Sequence, residues 1–68
     1  MSVEFSKEKV KGLMAENGLK QIDIAVELGI SLVALQQKLN GKTDFKLDEI
    51  RQLARTFNVD FTISNKEE

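Results

Sequence analysis

The chain has 68 residues, 41 % of them hydrophobic and 31 % charged, and contains neither cysteine nor histidine. A chain this short buries only ~60 % of its unfolded surface, so it can build one thin core. Disulfides, thiolate or imidazole metal sites, a cysteine nucleophile and the usual neutral-pH acid/base group are excluded. Ten basic against eleven acidic residues leave a formal charge of −1, which is weak electrostatics for a nucleic-acid ligand. The negative excess sits at the end, in Asp60, Lys66, Glu67 and Glu68, so residues 1–59 are slightly basic. No apolar run approaches a membrane span and no charged start precedes an apolar stretch, so a cytoplasmic protein without membrane contact is expected. One domain over residues 1–68 is expected, compact from about 6 to 59, with terminal segments 1–5 and 60–68.

The elements follow from apolar spacing and stop signals. At the two ends, Val3 and Phe5, and Val59, Phe61 and Ile63, alternate with polar neighbours, a period of two that predicts strands. Either the two ends form a small ribbon, or a loose tail presses two apolar side chains onto the helices. Ser6 caps a first helix running to Asn17, with Val10, Leu13 and Met14 on one face. Gly12 within it costs roughly 1 kcal/mol against Ala, which predicts a close packing contact there. Asn17-Gly18 stops this helix. A second helix, about Lys20 to Leu28, carries Ile24, Ala25 and Leu28 inward and ends at Gly29. Ser31 caps a third, about Leu32 to Leu39, with Leu35 and Leu39 one turn apart, and Asn40-Gly41 stops it. Leu47, Ile50, Leu53, Ala54 and Phe57 mark a fourth helix of 3.6 period. Asp48 and Glu49 lie in its first turn and Arg55 in its last, as the helix dipole favours. Phe45, Phe57 and the two methionines read as core.

The informative stretch is Gln21 to Gly41, two short helices joined by only Gly29-Ile30-Ser31. Glycine is needed where the chain reverses, and Ala25 must be small where the next helix crosses. Ile24, Leu28, Ile30 and Leu35 form the wedge that sets the angle between the helices. Such a wedge pushes one face of residues 32–40 away from the core. The run from Leu19 through Lys20, Gln21, Ala25 and Gly29-Ile30-Ser31, followed by Leu39-Asn40-Gly41-Lys42, resembles the Cro/repressor-type helix-turn-helix of phages and their bacterial relatives. The stretch Lys42-Thr43-Asp44-Phe45 into Leu47-Asp48-Glu49-Ile50 is similar to small phage members of that family, and the likeness covers roughly residues 6–59.

The resemblance implies an all-α fold, a bundle of four or five helices with a helix-turn-helix. It also implies a sequence-specific, DNA-binding transcriptional regulator acting on a double-stranded operator. The third helix would enter the major groove. Gln21 matches the glutamine that fixes the motif on a phosphate and supports that helix. Leu32, Val33, Gln36 and Gln37 match the outward positions that read bases, and Asn40, Lys42 and Thr43 match an exit loop on the sugar-phosphate backbone. Glutamine can donate and accept together at an adenine edge, and Leu or Val can cover a thymine methyl. Lys20, Lys38, Lys42 and Lys46 would supply charge for phosphates.

Two departures stand out. The first outward positions are apolar, at Leu32 and Val33, and Lys46 sits where the family often has Ser or Thr as a cap. With a sequence pI near 5.4, these favour an alternative, an antirepressor-like helix-turn-helix that binds a phage repressor protein rather than DNA. A symmetric homodimer is expected, with Phe61 and Ile63 as its seam by analogy with Cro-like proteins that pair C-terminal strands. An enzyme is not expected. Asp23 and Glu27 share one helix face, and Glu4 and Glu8 are similarly spaced, but such pairs act as acid and base only in a cleft, and no cofactor, metal or small-molecule substrate is implied.

Overall fold

Each helix starts where the sequence offers its first amides an acceptor. In the computed structural model, which describes residues 2–63, Ser6 Oγ accepts from the Lys9 amide and Ser31 Oγ from the Ala34 amide, each at 3.0 Å. These cap α1 (Lys7–Asn17) and α3 (Leu32–Leu39). The other two, α2 (Gln21–Leu28) and α4 (Leu47–Phe57), begin after lysines with no capping oxygen. There the carboxylate of the third helical residue reaches back instead. Asp23 Oδ2 accepts from the Lys20 amide and Glu49 Oε1 from the Lys46 amide, each at 2.8 Å, half of a capping box.

The helices also end alike. After α2, Gly29 (φ +70°) takes the left-handed conformation, its amide bonds to Val26 O, and the Ile30 amide bonds to Ala25 O at 3.0 Å. The same pair of bonds closes α1 at Gly18 and Leu19, and α4 at Asn58 and Val59. After α3 the left-handed residue is Gly41, and the Lys42 amide bonds to Gln37 O at 2.9 Å. These reversals satisfy carbonyls that would otherwise lack partners at the helix ends.

The core is built from Val10, Leu13 and Met14 of α1, Ile24 and Ala25 of α2, Leu35 and Leu39 of α3, and Leu53 and Phe57 of α4. Ile24, Leu35 and Leu53 are wholly sequestered from solvent. Leu28, Ile30 and Phe45 pack half-buried against this cluster, so the wedge at the α2–α3 turn forms as expected. The contact expected at Gly12 does not form. Gly12 is exposed, and a Cβ there would meet nothing within 4 Å, so no close packing accounts for it.

The alternating ends pair as strands, β1 (Ser2–Glu4) and β2 (Asp60–Thr62), in a parallel two-stranded ribbon with Val3 opposite Phe61. The Phe5 amide extends it to Thr62 O at 2.9 Å. The Phe5 ring stands edge-on to Phe61 and to Phe45, with centroids 5.1 and 5.5 Å apart. Such edge-to-face pairs match ring edges to π-faces, so the ribbon is tied to the segment before α4. The architecture is all-α with a minor ribbon. Met1, expected in the core, and residues 64–68, part of the expected terminal segment, lie outside the described residues. Among the described residues, no helix is long and apolar enough to cross a membrane.

Candidate nucleic-acid interface

Burial of Leu35 and Leu39 fixes which way α3 faces. With those two inward, the opposite face of the helix turns outward, and Val33, Gln36 and Gln37 of α3 and Asn40 just after it are exposed. Val33 is the most conspicuous, an apolar side chain left 62 % exposed. Leu32 differs from Val33 beside it. It is partly shielded from solvent rather than fully exposed.

Gln21, the first residue of α2, is exposed and accepts a hydrogen bond from Gln36 Nε2 at 3.3 Å through its Oε1. The contact couples the start of α2 to the outer face of α3. A shallow cavity of about 230 Å³ lies around it, lined by Gln21, Gln36, Leu39, Asn40 and Lys11. Lys11 belongs to α1 and is not among the residues that the sequence singles out. Its position depends on how α1 crosses α3, which no local pattern encodes; the only local signal is its spacing of four from Lys7. The Lys7 stem covers Gly41, lying 3.4 Å from where a Cβ would stand, while its Nζ pairs with Glu8 at 3.1 Å. The Glu8 carboxyl is held below the usual carboxylate range, first by a hydrogen bond from its own backbone amide and then by Lys7.

The expected phosphate-contacting residues divide into two groups. Lys20, Lys42, Thr43 and Lys46 are exposed, and among the described residues no carboxylate pairs with the three lysines. Lys38 is different, and the expectation that it adds surface charge is overturned. Its side chain is only 10 % exposed, and Nζ lies 3.1 Å from Glu49 Oε1 and donates to Asp44 O at 3.0 Å. The ammonium also sits over the Phe45 ring, 5.9 Å from its centroid. A cation largely shielded from water needs such partners, so this charge is met by groups of the protein itself.

Phe61 and Ile63 also separate. Phe61 is half-buried against Phe5 within the same chain, while Ile63 stays 49 % exposed. The carboxylates considered for acid/base chemistry have structural partners. Asp23 caps α2, and Glu27 Oε2 accepts from Gln52 Nε2 at 2.7 Å.

A helix-turn-helix family model matches residues 10–63. No curated protein and no solved structure gave a match.

Proposed function

This chain belongs to the helix-turn-helix family, a family of DNA-binding regulatory domains, and from that membership we propose a sequence-specific transcriptional regulator of phage Cro/repressor type. The observation that carries the reading is the outer face of α3. Val33, Gln36, Gln37 and Asn40 stand in solvent while Leu35 and Leu39 anchor the same helix in the core. In a major groove, Gln36 or Gln37 would pair with an adenine edge through one donor and one acceptor, and Val33 would lie against a thymine methyl. Half-exposed Leu32 would add apolar contact at the tip. Lys20, Gln21, Lys42, Thr43 and Lys46 would hold phosphates and set the register without reading sequence.

So small a footprint suits a homodimer on a two-part operator. Ile63 and the edge of β2 that is unpaired among the described residues are the surface we assign to that contact, with Phe61 supporting it from within. Sedimentation of the wild type and of Ile63→Asp tests the assignment. A dimer that becomes a monomer supports it, and an unchanged mass overturns it.

The DNA reading is tested by enriching duplexes about two helical turns long from a random-sequence pool and titrating them at several salt concentrations. Affinity should fall with a log–log slope of about −0.9 per neutralised phosphate. Failure to enrich any duplex overturns the reading.

One observation favours a second reading, binding to a repressor protein. Besides Val33, α2 exposes Ile22 (50 %) and Val26 (72 %), and exposed apolar side chains mark partner surfaces when they gather. Binding through them would respond little to salt, and Val33→Asp would abolish it.

A further inference from the structure

Lys38 and Glu49 form the one ion pair between helices among the described residues, and both side chains are nearly out of solvent, 10 % and 12 % exposed. The same Glu49 Oε1 that meets Lys38 Nζ also accepts from the Lys46 amide. Lys38 Nζ in turn holds Asp44 O. One ammonium and one carboxylate oxygen therefore grip the segment after α3 at its middle and at its end. Its beginning is fixed by the Lys42 and Gly41 amides on Gln37 O and Lys38 O. That segment carries Lys42, Thr43 and Lys46.

We propose that Lys38 is the positioning residue for this phosphate-contacting loop, acting through Glu49 and Asp44 rather than on DNA. The proposal rests on the DNA-binding reading. Its physical basis is that an ammonium offers three donors. Two are directed here to fixed oxygens on two different segments, while Phe45 walls one side with its π-face. An apolar pair could fill the same space with equal or better stability, but it would hold no carbonyl in place. The charge is neutralised internally, so Lys38 contributes no counterion release even though it lies on the same helix as the base-reading side chains.

The test compares the wild type, Lys42→Gln and the double variant Lys38→Met/Glu49→Gln, titrating a duplex enriched as above across salt. The double variant removes both charges together, avoiding an unpaired, largely shielded carboxylate. Its new carboxamide still offers an oxygen to the Lys46 amide, so the start of α4 keeps its cap. Lys42→Gln should lower the slope by about 0.9. The double variant should keep the wild-type slope and lose about tenfold in affinity at every salt concentration. Amide exchange should rise at residues 42–45 and stay unchanged in Leu35, Leu39 and Leu53. A slope reduced as in Lys42→Gln overturns the proposal, because Lys38 would then meet a phosphate. Full wild-type affinity with unchanged loop exchange overturns it as well. If the wild type binds no duplex, the DNA reading fails by itself, and unchanged loop exchange in the double variant would still refute the clamp.

Discussion

The starts of α2 and α4 are built from the same local parts and end up in different circumstances. Each follows a lysine, each lacks a capping hydroxyl, and each has a carboxylate three residues on that takes the lysine amide at 2.8 Å. Asp23 remains on the surface, whereas Glu49 is nearly buried because Lys38 reaches it from α3. A cap seen by water stabilises one helix end. A cap joined to a largely shielded ammonium also joins two helices and the loop between them.

The largest effect should come from removing the two carboxylates in turn. Glu49→Ala takes away the cap and leaves Lys38 without its carboxylate partner, which should cost about 2 kcal/mol. Asp23→Ala loses a solvated cap alone and should cost about 1 kcal/mol. Urea denaturation of the two variants measures both, and equal losses would break the distinction between the two helix starts.

A second prediction uses the backbone match between the capped and uncapped starts. Lys46 sits at φ −80°, ψ 159°, almost the same as Ser31 at φ −74°, ψ 159°. Lys46→Ser should complete a capping box with Glu49 and stabilise the fold by about 0.5–1 kcal/mol. It should also remove one phosphate charge, flattening the salt slope of DNA binding by about 0.9. Stability and binding would then move in opposite directions, and a loss of stability or an unchanged salt slope would count against the proposed role of Lys46.

The difference between the two starts also marks what the sequence could reveal. Helix bounds are legible because their causes are local: Ser6 and Ser31 ahead of apolar periodicity, and Gly18, Gly29 and Gly41 after it. The outward face of α3 follows from Leu35 and Leu39 being inward. Lys38 reads as a surface charge in the sequence because its burial is decided by Glu49 and Phe45, which come near only when the loop folds back. Lys11 escapes a sequence reading for the same reason, since only the crossing of α1 over α3 brings it beside Gln36. Alternation identifies the two strands, but their parallel direction depends on where α1 and α4 leave the chain. Gly12 looks like a packing site, and nothing in the structure explains it.

The smallest effect concerns a third kind of helix-start acid, one that sits beneath a serine cap. Glu8 is in the first turn of α1, and its carboxyl is lowered by its own amide and by Lys7. A carboxyl whose folded pKa lies below its unfolded value adds stability above the unfolded value, and that increment fades as pH falls through the folded one. Glu8→Gln should therefore melt slightly below the wild type at neutral pH. The gap should close as pH falls from the ordinary glutamate range into the lowered one. Thermal melts of both proteins across that acid range check the sign; a gap that widens toward low pH would mean that the carboxyl is not favoured in its charged form. Because Glu8 is fully exposed, the gap should stay well below that of either Asp23→Ala or Glu49→Ala, ordering the helix-start acids by how far each is withdrawn from water.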